Sequence, residues 1–175
     1  MARVRKFIGF WIALFAFGTL FPGAFYLVST WLDNVFRFPH FPTEPLNQFL
    51  AAIALVIGTF WVLWAYSYLH FVGKGSPVEA FGIALYPTQT LVTSGPYAYT
   101  RNPMVLGELF VLLGIALIAR SIGGLILIPV VGCLAVVYLR IFEEPGLVRR
   151  FDVQYIEYRK RVPILLPRFR PLQSS

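Results

Sequence analysis

Two uncharged stretches constrain this chain more than anything else in it. Phe7 to Leu32 runs 26 residues, and Leu46 to Val72 runs 27, without one Lys, Arg, Asp or Glu. Wound as helices they would reach roughly 39 and 40 Å, against a hydrocarbon layer of roughly 30 Å. A backbone in lipid must satisfy its own hydrogen bonds, so both runs are predicted to be transmembrane helices. Only 13% of the chain is charged, about half of what a soluble domain carries. The first run is longer than the apolar core of a signal peptide and lacks a small-residue cleavage site, which predicts an uncleaved span. Pro22-Gly23 predicts a kink within it.

Gly73 to Asn102 is a polar loop opened by the breaker Gly73-Lys74-Gly75-Ser76-Pro77. Two shorter apolar segments follow at 103–119 and 122–142, separated by Arg120-Ser121. They predict a tight helical hairpin, in which Gly123, Gly124, Pro129 and Gly132 allow close packing or a bend. The expected fold class is an all-α integral membrane protein. It forms one domain, 1–175, with about four transmembrane helices (7–32, 46–72, 103–119 and 122–142). The last two are the hairpin, and a cytoplasmic amphipathic helix follows in the tail, 143–175.

The net charge of +7 could suit nucleic acid, but its placement argues for a membrane. With an even number of spans, 13 of the 15 Lys and Arg residues fall on the side of both termini and the central loop; Arg37 and Arg120 lie opposite. Positive charge favours the cytoplasm, so that side is predicted to be cytoplasmic, in a bacterial inner membrane. In the tail, Leu147, Val148, Phe151, Tyr155, Tyr158 and Val162 recur at three- and four-residue spacing among Arg149, Arg150, Arg159 and Lys160. This pattern predicts an amphipathic helix lying on the membrane surface, with a solvated charged tail as the plainer alternative. Pro163, Pro167 and Pro171 predict an extended strap after it.

Polar residues gather where the spans end. Asn102-Pro103 reads as a helix start, with Asn as cap and Pro at the first helical position. The helix beginning there carries Glu108 about one and a half turns inside, and its N-terminus points free N–H groups at whatever lies beside Arg101. An acid in an apolar helix costs about 2–3 kcal/mol at mid-membrane and calls for a partner. Glu143-Glu144, just past the fourth apolar segment, would oppose a helix dipole unless a cation compensates. Gly73-Lys74-Gly75 alone is a helix cap and turn. His70 reads as an interfacial filler, and the single cysteine, Cys133, as a buried bystander. No His, Cys and Asp cluster has metal-ligand spacing, and no Ser/His/Asp set is present.

Taken together, GKGSP, then LVTSGPYAYTRNPMVLGE, then EEPGLVRRFDVQYIEYRKRVPILLPR resembles the isoprenylcysteine carboxyl methyltransferase and phospholipid methyltransferase superfamily. Its members are membrane enzymes that use S-adenosylmethionine. The resemblance covers roughly residues 73 to 170. It implies cofactor-binding roles for Gly73 and Gly75, for Arg101, Asn102 and Pro103, and for Glu143 and Glu144. Asn102 stands where many members have His, and Val105 where Tyr is usual.

The residues suit that chemistry independently of the resemblance. Arg101 and the free N–H groups of the following helix fit a carboxylate, and Glu143 and Glu144 an ammonium or ribose. Tyr97 and Tyr99 offer π faces to an adenine or a sulfonium. Arg101 and Glu108 are the expected catalytic residues, with Glu108 the base where the acceptor is an amine or thiol. The expected function is methyl transfer to a lipophilic acceptor drawn from the bilayer: an isoprenylcysteine-like carboxylate, a lipid amine or a thiol. The alternatives are a nicotinamide-dependent reductase of the sterol-reductase type and a non-catalytic membrane scaffold. The expected partners are the acceptor and membrane lipids, with no nucleic acid and no metal; oligomeric state is left open.

Overall fold

The computed structural model describes residues 16–75, 79–80, 83–84 and 88–172. The start of the first predicted span (7–15), the basic residues Arg3, Arg5 and Lys6, and Ser76-Pro77 of the loop lie outside the described residues. Five α-helices follow in order: α1 (Phe21–Phe36), α2 (Leu46–Phe71), α3 (Pro103–Ile118), α4 (Ile122–Tyr138) and α5 (Glu144–Arg161). A π-turn at Leu139–Glu143 joins α4 to α5, and a 3-10 turn covers Gly95–Ala98. The all-helical expectation holds, apart from a two-residue antiparallel ladder of Glu79–Ala80 with Ile83–Ala84.

The helices run up and down, and glycines set how close they come. Gly58 of α2 and Gly107 of α3 face each other: a Cβ on either would lie 2.7–2.8 Å from the other's carbonyl oxygen. Seven residues on, Gly114 receives Leu55, so the two helices are antiparallel. Small residues at such crossings bring backbones into van der Waals contact. At the turn between α3 and α4, Gly124 meets Ala116 and the Ser29 hydroxyl of α1, whereas Gly132 meets only Leu109 at an ordinary 3.5 Å. The first turn of α4 therefore depends on glycine, and the position of Gly132 does not. Phe25, Leu112 and Ala116 form the buried centre of the bundle, with Leu109, Leu125 and Ile128 around it.

At one end, which we term the far end, α4 starts from well-defined caps. Ser121 Oγ accepts from Gly124 N at 2.8 Å, and Asp33 Oδ1 accepts from Gly123 N at 2.7 Å. Arg120 takes a left-handed conformation (φ 54°) in the turn. Its Nε donates to Pro42 O, and its Nη1 pairs with Glu44 Oε1 at 3.4 Å.

The exterior is apolar. Only 22% of the most apolar window is buried in α2, and 22% in the helical run Ile122–Arg161, and both helices are long and apolar enough to cross a membrane. The core helix of a soluble protein would hide that surface; here Leu27, Val56, Phe60, Leu134 and Ile141 are all exposed. An apolar belt of this extent is suited to hydrocarbon, not water.

Two expectations are corrected. The sequence predicts a break between the fourth apolar helix and the tail, yet Ile122–Arg161 is one helical run of 40 residues. Pro145 sits in the first turn of α5, where a missing N–H is tolerated, so the Glu-Pro-Gly sequence does not end the helix. The run is interrupted instead at Asp152, whose φ of 43° departs from helical geometry. Second, the apolar stripe of the tail does not lie on a membrane surface. Tyr155, Tyr158 and Val162 are buried together, packed by Leu91, Leu147, Val148, Phe151 and Leu172. The stripe was periodic because it faces the rest of the protein.

Candidate functional site

The other end, the near end, brings together the end of α2, the start of α3 and the α4–α5 junction. Its floor is the stretch from Gly95 to Pro103. Gly95 has a φ of 59°, and a Cβ there would come within 2.4 Å of the Tyr68 ring. Both facts require glycine. Pro96, Thr100 and Pro103 are fully buried. The proline-rich segment after α5 runs alongside as a hydrogen-bonded strap. Arg101 N donates to Pro163 O, Arg168 N to Tyr99 O, and Leu172 N to Ala98 O, all at 2.9–3.0 Å.

That strap changes the role of Asn102. The helix does begin at Pro103, but the Asn102 side chain makes no cap. Its Nδ2 donates instead to Ile164 O at 2.8 Å, while its backbone carbonyl accepts from Leu106 N. The amide is held by its nitrogen on the strap carbonyl, and its oxygen accepts no cap bond from the helix.

Arg101 and Glu144 form a direct ion pair, with side chains only 9% and 10% exposed. Arg159 approaches the other carboxylate oxygen at 3.5 Å. Glu144 is thus not stranded at a helix C-terminus, as its sequence position suggested; it lies within a continuous run and is compensated by two arginines. The π-turn explains why Glu144 and not Glu143 is the buried one. Glu144 N bonds to Leu139 O, five residues back, so the buried Leu139 and Glu144 share a face. A regular α-turn would put Glu143 beneath Leu139. Glu143 is half-exposed.

Three buried side-chain atoms among the described residues lack a hydrogen-bond partner: Arg101 Nε, Glu108 Oε1 and Asn47 Oδ1. Asn47 is at the far end, where its Nδ2 reaches Leu117 O. The other two are an unsatisfied donor and an unsatisfied acceptor, seven residues apart at the start of α3. Orphaned buried groups are rare in folded proteins and mark places where a ligand or water supplies the missing partner.

The two tyrosines separate. Tyr97 is buried against Ala65 and Val92, and its carbonyl accepts from the Tyr158 hydroxyl at 2.7 Å. Burial, then the neighbouring Tyr158 and Glu143, push its own hydroxyl well above the ordinary tyrosine range. Tyr99 turns the other way, 6.0 Å from Trp64 and 6.3 Å from Trp61. With Trp64, Ser94, Ala98 and Leu172 it lines a cavity of about 280 Å³. Of the two, Tyr99 is the one that lines the cavity.

Gly73 and Gly75 close α2. Gly73 N bonds to Tyr68 O and Gly75 N to Leu69 O, so neither N–H is free for a ligand. A Cβ on Gly75 would lie 2.6 Å from the Thr88 backbone, and one on Gly73 would press on Val92. The chain's own backbone accounts for both glycines. Through Val92 this turn abuts the Tyr97 cluster.

Sequence reasoning missed Tyr155, Tyr158, Thr100 and Arg159. Burial is the main influence raising the Tyr155 hydroxyl, followed by the Glu144 charge, while Arg101 opposes it by charge and hydrogen bond. Tyr155 is therefore part of the Arg101–Glu144 cluster. The available signal was that buried tyrosines in an apolar stripe want a polar partner for the hydroxyl. His70 is exposed and stacks on Tyr66 at 6.0 Å. Cys133 is exposed, not buried as expected, on the outer face of α4. No cluster of three metal-ligating side chains occurs among the described residues.

Among the described residues, an apolar-sided helical bundle carries its buried ion pair at one end, an arrangement suited to polar chemistry beside hydrocarbon. The chain belongs to the phospholipid methyltransferase family, whose family model matches residues 46–154. It is 36% identical over 87 residues to the human protein-S-isoprenylcysteine O-methyltransferase, covering 46% of this chain and 28% of that protein. The mouse protein of the same name is 34% identical over the same extent. It is also 32% identical over 135 residues to methanethiol S-methyltransferase 2 of Bradyrhizobium diazoefficiens, covering 73% of this chain and 51% of that one. The chain thus spans about half or less of the length of these relatives. No solved structure matches it.

Proposed function

We propose that this protein is an S-adenosylmethionine-dependent methyltransferase embedded in a bacterial inner membrane by about four spans. Its near end faces the cytoplasm and its acceptor is lipophilic. The observation that carries the reading is the buried Arg101–Glu144 pair with its orphaned Arg101 Nε, at one end of an apolar bundle, with a second orphaned atom, Glu108 Oε1, seven residues further along α3. All three named relatives are methyltransferases, which supports methyl transfer over the nicotinamide-dependent alternative. Among the described residues, ten of the twelve Lys and Arg lie on the near-end side, which supports its orientation.

The residues fit the donor. S-adenosylmethionine, when bound, supplies a methyl group on a positively charged sulfur. Arg101 would take the carboxylate of its amino-acid end, using the unsatisfied Nε, while Glu144 or Glu143 takes the ammonium. Exchanging each other for these two groups leaves the net charge of the site unchanged, so the desolvation cost already met in forming the ion pair is not met again. The Tyr99 ring and the cavity beside it offer a flat aromatic surface. The glycine turn acts by packing, holding α2 against the Tyr97 cluster. The chain's contribution to the transfer is alignment and exclusion of water, for which the dry flank of α3 is suited. Glu108 Oε1 is an acceptor without a donor, and it would take the proton of a thiol or amine acceptor.

The test is direct binding of S-adenosylmethionine and of its demethylated product to purified protein in lipid nanodiscs, followed by calorimetry. Wild type binds and Arg101→Ala does not. If wild type shows no binding in either lipid or detergent, the proposal fails. A Glu108→Gln variant that binds the donor but loses transfer to thiols, and not to carboxylates, would identify the proton acceptor.

A further inference from the structure

The stripe that looked like a membrane-surface helix is buried, but the strap that follows has apolar side chains left exposed among the described residues. Phe169 is fully exposed and Leu166 is 76% exposed. They do not sit on a loose tail. Backbone bonds from Arg168 N and Leu172 N to Tyr99 O and Ala98 O, at 2.9 and 3.0 Å, pin the strap on either side of Phe169. The chain therefore holds a large apolar ring outward from a fixed backbone.

Three features around it point to one occupant. Arg161 and Arg170 are exposed and Arg168 is half-exposed, with its Nη1 on Arg161 O. The nearest acid in sequence, Glu157, is already engaged by Lys160 at 2.8 Å. The patch is thus apolar at its centre and cationic at its rim, the pattern that matches an anionic lipid surface. Finally, Pro171 and Leu172 share a cavity with Trp64, an aromatic near the near end of α2, a helix whose outer face is otherwise apolar. Aromatic residues near the end of a span mark the membrane–water boundary. The strap is therefore held at the level where headgroups meet acyl chains.

We infer that the strap is an interfacial anchor: Phe169 and Leu166 enter the headgroup–acyl boundary, and Arg161, Arg168 and Arg170 bind the phosphates of anionic lipid. This rests on the membrane reading above. It gives the site a floor seated on the bilayer surface, because the strap also bonds Arg101 N and Asn102 Nδ2 through Pro163 O and Ile164 O.

The experiment uses full-length protein in nanodiscs, in a Cys133→Ser background. An environment-sensitive fluorophore is attached at Phe169→Cys or, as a control, at Val56→Cys on the exposed face of α2. Lipids carry brominated acyl chains, in pure phosphatidylcholine or mixed with phosphatidylglycerol. The Val56 label is quenched in both if the chain is membrane-embedded; if it is not, the membrane reading itself fails. The Phe169 label should be quenched roughly twofold in the anionic discs and less in the zwitterionic ones. Combining Arg168→Gln with Arg170→Gln should remove that difference while the Val56 label is unchanged. A Phe169 label that remains water-exposed in both lipids, beside a quenched Val56 label, overturns the inference. So does a label that is shielded without being quenched by bromine, since that signals a protein contact.

Discussion

Both ends of the α3–α4 hairpin carry an arginine–glutamate pair, and the two pairs are built for different purposes. At the far end Arg120 and Glu44 stand 3.4 Å apart with side chains 29% and 63% exposed. The guanidinium also bonds Pro42 O, and the Arg120 carbonyl accepts from Phe41 N, so the pair staples one loop to another. At the near end Arg101 and Glu144 are buried, share a second arginine, and leave Arg101 Nε unsatisfied. A structural pair satisfies its groups; the near-end pair keeps capacity in reserve. That difference separates a fastening from a site more reliably than the residue types, which are the same.

The largest expected effect comes from breaking the buried pair. Arg101→Ala leaves Glu144 buried with only the more distant Arg159, and should cost about 3–5 kcal/mol as well as donor binding. Thermal unfolding in detergent and a radiolabelled methyl-transfer assay check both. Arg101→Met with Glu144→Leu should recover most of the stability and none of the activity, the sign of a pair kept for function.

Next is Gly107→Leu, which drives a side chain into Gly58 O and Val62. Overpacking of this kind costs about 1–3 kcal/mol. It should lower the unfolding temperature without selectively affecting donor affinity in the protein that remains folded.

Tyr158→Phe removes the bond to Tyr97 O and should cost about 1 kcal/mol. Burial raises the Tyr158 hydroxyl, followed by Tyr155, so the folded form keeps that proton to higher pH than the unfolded chain. The associated stability is complete below about pH 10 and is lost as pH rises above it. The variant should therefore show a weaker alkaline fall in stability in a series of melts. Smallest is Arg120→Ala, at roughly 0–1 kcal/mol for an exposed pair, with donor binding unchanged. If it affected binding as Arg101→Ala does, the distinction between the two ends would collapse.

Much of the scaffold was legible because its signals are local. Uncharged runs, Pro103 at a helix start and the Arg120-Ser121 turn each carry their meaning within a few residues. The residues of the site could be singled out for the same reason: polar letters in apolar surroundings stand out. Their pairing could not. Arg101 and Glu144 were matched to opposite ends of a ligand because nothing in either segment reveals that they meet across 43 positions. The tail shows the complementary failure. A helical period reports that one face is apolar but not whether lipid or protein covers it, and here Leu91 and Leu172 do. Asn102 lost its capping role to a strap that arrives 62 positions later.

The π-turn at Leu139–Glu143 has a consequence for inheritance. One glutamate ends it and a second follows, and which one faces inward is decided by counting, not by chemistry. Closing that turn to a regular α-turn at the present spacing would hand the inward position to the first glutamate, whereas closing it with the loss of one residue would keep the second glutamate inward. In comparing relatives, spacing from Leu139 and the form of the turn should therefore be read together to tell which glutamate faces inward.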